Sequence, residues 1–269
     1  MANNLKSGEQ MMKVSNKGVG ILGLFVGSLL STVAIAEDGA IAPDRPGLST
    51  GTHTISPGVV YLEAGYQYEF TRTDIDVATH TFPQVVVRTG INDKLEIDFV
   101  WDGFNRDHVE GLPNETSRAD LAIGGKYRLF ESEDFNLTLL GLINAPVGSS
   151  PSTSNNIDPL LGLLWDYNLS GNLQLFGVIQ STRLEDENEN DFQENQFGLG
   201  INIGHTEKLT SFVEYFANFP NQSLLDEQHI IDAGVTYLYT DDLQFDFSAG
   251  VGLNDETSHF VSLGVSVRF

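Results

Sequence analysis

Residues 260–269, FVSLGVSVRF, decide how the rest of the chain is read. Val261, Leu263, Val265 and Val267 alternate with Ser262, Gly264, Ser266 and Arg268. A period of two places the apolar set on one face of a strand and the small or polar set on the other. Chain ends fray unless something pairs with them. A well-patterned strand running to Phe269 therefore asks for a partner, and the rest of the sequence offers many.

In VVYLEAGYQYEF, the residues Val60, Leu62, Ala64, Tyr66, Tyr68 and Phe70 oppose Tyr61, Glu63, Gly65, Gln67 and Glu69. KLEIDFVWD, RADLAIGGKYRLF and LQFDFSAGVGLN alternate in the same way. TFPQVVVRTG is less regular, with Pro83 near its start, and FNLTLLGLINAP and PLLGLLWDYNL are apolar on both faces. Helical spacing of three and four is not the pattern here. About twelve segments have the 9–11 residues that a tilted strand needs to cross a bilayer.

The connections discriminate further. TRTDIDVATH, GFNRDHVEGLPNETS, PVGSSPSTSNNID, RLEDENEND and NFPNQSLLDEQ are long, and between them come the short GINDK, FESED, NLSGN, GHTEK and YTDD. A soluble sandwich gives no reason for such sorting, whereas an outer-membrane barrel has short periplasmic turns and long outward loops. The fold expected is all-β: a transmembrane, antiparallel, up-and-down β-barrel of about twelve strands. Aromatics near strand ends, among them Tyr66, Tyr68, Trp101, Tyr127, Trp165, Tyr167, Tyr215, Tyr237 and Phe269, fit interfacial girdles. Closure removes both open edges, so the strand ending at Phe269 is expected to pair with the one beginning near Val60.

Composition narrows function. The 269 residues hold 37 acidic and only 14 basic side chains, for a net charge of −23. Nucleic acid is excluded as a partner, because a phosphate backbone is bound by clustered Lys and Arg. The chain has no cysteine, which excludes disulfides, thiol catalysis and Cys-type zinc sites. At the N-terminus, Lys6, Lys13 and Lys17 precede the apolar run VGILGLFVGSLLSTVAIA, which closes on Ala34-Ile35-Ala36. That is the layout of a secretory signal peptide over residues 1–36. Residues 37–57 then form an N-terminal periplasmic segment, either free or tucked into the lumen, and residues 58–269 the barrel. With an even number of strands, both barrel termini are expected in the periplasm of a Gram-negative cell.

DRPGLSTGTHTISPGVVYLEAGYQYEF, FPQVVVRTGINDKLEIDFVW and the final strand resemble a family of outer-membrane β-barrels grouped as transporters of the meta-pathway of phenol degradation. Asp44-Arg45-Pro46, Glu63 and the RTGINDKLEID hairpin are the strongest marks of the likeness, which runs over essentially the whole mature chain. The resemblance implies a channel or substrate-specific porin for passive uptake of small solutes, aromatic ones among them. It also implies that Phe269 is read as a signal by the barrel-assembly machinery. Outer-membrane lipid and a small-molecule solute are the other partners expected.

If the polar faces point inward, Glu63, Arg88, Glu96, Asp98, Asp120, Lys126, Arg128, Glu214, Asp232, Asp246 and Arg268 line the lumen. Opposite charges on adjacent strands then form a salt-bridge lattice that stiffens the barrel. Rows of charge can instead make a selective constriction. Glu214 and Asp232 have no evident basic neighbour, which favours cations or neutral solutes. A structural or adhesive barrel with a charge-filled lumen is the alternative to a channel. No catalytic residue, metal site or cofactor is expected: Asp107-His108 lacks a positioned third group, and LEDENEND lacks the spacing and glycine of a calcium loop.

Overall fold

A computed structural model describes residues 39–72, 75–185, 190–222, 225–254 and 257–269. The signal peptide expected over residues 1–36 lies outside the described residues, as does part of the LEDENEND loop. The described chain forms fourteen strand segments: β1 (Val60–Arg72), β2 (Asp76–Asn92), β3 (Leu95–Trp101), β4 (Phe104–Val109), β5 (Glu115–Arg118), β6 (Leu121–Glu131), β7 (Phe135–Ala145), β8 (Asp158–Ser170), β9 (Leu173–Glu185), β10 (Asp191–Gly204), β11 (Leu209–Pro220), β12 (Gln228–Thr240), β13 (Leu243–Gly252) and β14 (His259–Arg268).

Both β3 and β4 pair with β2, and β6 and β5 continue alongside them. These four segments thus make two interrupted staves, and the sheet is a closed antiparallel barrel of 12 strands. The ring shuts where β1 meets β14: Tyr61 faces Arg268, and Glu63 faces Ser266. Phe269 N–H donates to Val60 O at 2.9 Å, and Val60 N–H donates to Phe269 O at 3.2 Å. The end of the chain is ordered because the first strand supplies its ladder.

The alternation sorts cleanly into two walls. Leu62, Phe99, Ile123, Leu161, Ile179, Leu199, Val213, Ile231, Phe247 and Leu263 are exposed on the outside. Their neighbours Glu63, Asp98, Glu214, Asp232, Ser248 and Ser262 are buried inside. An apolar exterior around a polar interior is the arrangement a barrel needs in hydrocarbon. Ring contacts gather at both rims: Phe130 with Phe135 and Tyr239 with Phe245 at the short turns, Tyr68 with Phe70 and Trp101 with Phe104 toward the loops. These are the girdles.

Two departures have physical causes. Pro83 lies inside β2 rather than near its start, at a place where the register with β1 shifts between Gly65 and Gln67. A residue without an N–H is tolerated in a sheet where the ladder is broken. On the other flank, β3 gives way to β4 at Gly103, whose φ of 64° suits glycine. The long connections are also shorter than they read. TRTDIDVATH is largely taken up by β1 and β2, and GFNRDHVEGLPNETS by β4 and β5. The hairpins stand beyond the length a bilayer requires.

Candidate functional site: the lumen and the segment inside it

Residues 39–57 do not hang free. They enter from the short-turn end, where Ile41 N–H donates to Asp241 O at 2.7 Å, cross the lumen, and return to β1. Ile41 and Ile55 pack with Val59 and Tyr61 at the root of the segment. The segment touches strands on every side of the barrel, which only a chain inside the ring can do.

On one side the wall is ionic. Arg88 is fully buried and holds Glu96 through Nε at 3.0 Å and Nη2 at 2.9 Å, Glu63 at 3.1 Å, and Asp44 of the inner segment at 3.4 Å. Its remaining donors reach the carbonyls of Ala42 and His53. Lys126 bonds Asp44 at 2.6 Å and Gly51 O at 2.9 Å, and lies 3.4 Å from Glu96. Glu63 in turn accepts the amides of Asp44 and Arg45, and Glu96 accepts Ile55 N–H at 2.7 Å. Burial raises the cost of the Asp44 charge, but Arg88 and Lys126 beside it hold its carboxyl below the usual range. The stabilisation is therefore present above the ordinary aspartate pKa and is lost as pH falls through the lowered one.

Arg45 reaches the β13–β14 wall. Its guanidinium meets Asp246 at 3.3 Å, Ser262 Oγ at 2.8 Å and Gln84 Oε1 at 3.2 Å. Gly65 and Gly264 make this seat: a Cβ on either would collide with the Arg45 guanidinium group. Farther along, Leu48 N–H and Ser49 N–H donate to Glu214 at 2.9 and 3.1 Å, and Ser49 Oγ–H donates as well. Thr52 donates to Asp166 through its hydroxyl and accepts from Thr138 at its carbonyl, at 2.8 Å.

The opposite side is apolar. Leu140, Leu164, Val178 and Phe216 form a buried cluster against which Leu48, Leu142 and Leu160 pack. This explains why FNLTLLGLINAP and PLLGLLWDYNL are apolar on both faces: one face meets lipid and the other meets Leu48.

Of the residues expected in the lumen, Glu63, Arg88, Glu96 and Lys126 converge on one cluster. Asp98 is buried beside it, with Oδ1 lacking a hydrogen-bond partner among the described residues. Asp246 goes to Arg45, and Arg128 bonds Thr54 Oγ1 at 2.5 Å. Glu214 and Asp232 stand directly opposite each other on β11 and β12. Glu214 is occupied by the inner segment, while neither Asp232 oxygen has a protein partner among the described residues. Two are elsewhere: Asp120 accepts Val147 N–H near the loops, and Arg268 pairs with Asp242 in a short turn at 2.6 Å. Asp44, Arg45, Leu48, Ser49 and Asp166 belong to the site although the alternation does not reveal them. Asp44-Arg45-Pro46 and Glu63, separate marks of a resemblance in sequence, are one contact in space.

A solved outer membrane channel from Pseudomonas putida F1 is 14% identical, with a TM-score of 0.68 over 84% of this chain and 99% of that one. The translocator domain of the autotransporter NalP from Neisseria meningitidis is 11% identical, with a TM-score of 0.55 over 78% and 88%. The transport unit of the autotransporter AIDA-I from Escherichia coli is 9% identical, with a TM-score of 0.53 over 79% and 90%. At these identities the likeness is one of fold. No curated protein sequence matches the chain. A family model does, over residues 43–269, so that it takes in the inner segment from just before Asp44 together with the whole barrel. The chain belongs to the family described as "Putative MetA-pathway of phenol degradation".

Proposed function

We propose that this outer-membrane barrel is a channel for passive uptake of small solutes, and that residues 39–57 are its removable constriction. The observation that carries the reading is how the segment is held. It is fixed along its length by side-chain hydrogen bonds, ion pairs and the packing of Leu48, with main-chain contacts at its two ends, Ile41 N–H to Asp241 O and the bridge from Pro57 to Gly90. A twelve-stranded ring falls between small barrels filled by side chains and large ones with an open channel. Its lumen has room for a strand of chain or for a solute path.

A lumen apolar along Leu140, Leu164, Val178 and Phe216 and ionic along Glu63, Arg88 and Glu96 suits a small amphipathic solute. The family's description supports an aromatic one. Asp232, whose carboxylate oxygens have no protein partner among the described residues, adds acidity to the wall, which supports a weak preference for cations over anions. Liposome swelling checks the channel reading: small phenols are expected to enter faster than sugars of equal size, and a salt gradient to give a cation-selective reversal potential. Solute entry no faster than in protein-free liposomes, even after the segment is removed, would favour a structural barrel with a salt-bridge lattice.

The same reading places the loops outside the cell and both barrel termini in the periplasm. It also gives Phe269 a role in recognition by the assembly machinery. Its ring is exposed while its backbone completes the ladder with Val60. Deleting Phe269 is expected to cut the heat-modifiable, membrane-inserted fraction severalfold while total synthesis and export stay unchanged. Equal insertion of the deleted chain would remove that role.

A further inference from the structure

The outer wall carries a feature that solute passage does not use. β2 sets Phe82 and Pro83 against the single residue Tyr66 of β1, a bulge in the half of the wall nearer the loops. Beside it runs an apolar groove of about 430 Å³ lined by Tyr66, Tyr68, His80, Val261 and Leu263. Sharing His80 with it, a polar recess of about 420 Å³ is lined by Arg106, His108 and Asn114. Arg106 faces His80 across the β2–β4 ladder, and His108 faces Ala78 one step nearer the loops. All three basic side chains are exposed, whereas the alternating Asn105 and Asp107 turn inward to Thr81 and Thr79.

Charge makes this recess unusual. In a chain of net charge −23, Arg106 makes no ion pair among the described residues. Acidic groups on the same face, Asp76 and Glu110, lie beyond His108 at the rim, where Glu110 N–H donates to Asp76 O. An arginine at the edge of the hydrocarbon layer needs an anionic partner, and phosphate matches its planar array of donors.

We propose that this wall site binds a lipid of the leaflet at the loop end whose headgroup ends in a free, anionic phosphate. The phosphate sits on Arg106, with His80 and His108 completing its hydrogen bonds. One acyl chain lies in the groove along Tyr66, Tyr68, Val261 and Leu263. The polar recess is on the loop side and the groove on the membrane side, which is the order of headgroup and chain in a lipid.

Native mass spectrometry of the full chain, released from non-ionic detergent, tests the site. Phosphatidic acid and phosphatidylcholine of equal chain length are added together, with inorganic phosphate in excess as a second arm. A retained phosphatidic acid adduct that inorganic phosphate does not displace is expected. Arg106→Gln should weaken it about tenfold, the loss of one charge-assisted contact. Leu263→Trp, which fills the groove from an exposed position, should weaken it as well. Where Arg106→Gln lacks heat-modifiable migration, the double variant His80→Gln/His108→Gln gives the same readout. Equal retention of phosphatidylcholine, displacement by inorganic phosphate, or unchanged binding in the folded variants would overturn the proposal.

Discussion

Deleting residues 41–56 raises the single-channel conductance of the barrel at least about fivefold, because it clears a twelve-stranded lumen of the only chain that crosses it among the described residues. The ring itself survives the deletion. Its closure rests on β1 and β14 from Val60 onward, and the Arg88–Glu96 and Arg88–Glu63 pairs lie wholly in the wall. What the deletion removes is Asp44 from Arg88 and Lys126, Arg45 from Asp246, the amides of Leu48 and Ser49 from Glu214, and Leu48 from its cluster. Newly bared carboxylates make the cleared channel more cation-selective, so the reversal potential in a salt gradient moves with the conductance. A deleted chain that remains heat-modifiable but conducts no better than the intact one would show that the segment does not limit flow.

Arg88→Ala has the largest expected effect on stability. Arg88 and its partners Glu63 and Glu96 are fully buried, and the change strips both carboxylates of their shared cation. Breaking a buried ion pair from one side costs about 3–5 kcal/mol, because the remaining charge stays out of water. The loss is read as a lower midpoint for urea-driven conversion between the two gel mobilities. Arg88→Gln/Glu96→Gln should recover part of it, since removing both members of a pair leaves less uncompensated charge. A single variant as stable as the parent would mean that the cluster carries little of the stability of the wall.

The barrel is legible in sequence because its rule is local. Alternation at Val261, Leu263, Val265 and Val267 fixes faces, and the sorting of connections fixes the up-and-down order. The segment inside it follows no such rule. DRPGLSTGTHTISPG has no period, and its contacts join residues far apart in the chain, such as Ser49 with Glu214 and Arg45 with Asp246. Glu214 reads as uncompensated because its partners are the amides of Leu48 and Ser49 and the Ser49 hydroxyl, none of which is a charge that a sequence displays. The one legible trace was indirect: segments around Leu140 and Leu164, apolar on both faces, needed an apolar partner inside the ring, and Leu48 is that partner. Pro83 shows the same limit. A proline in a strand signals a break, but only the register with Gly65 and Gln67 shows where the break falls.

The claim that residues 39–57 gate the lumen is tested most directly by tethering the segment in place. The chain has no cysteine, and the side chain of Thr52 in the segment meets that of Asp166 on the wall, so Thr52→Cys/Asp166→Cys offers a reversible crosslink in a clean background. Recorded in a planar bilayer, the oxidised pair is predicted to abolish channel openings, and reductant is predicted to restore them in the same membrane. Openings that persist unchanged while the crosslink is intact would contradict the account.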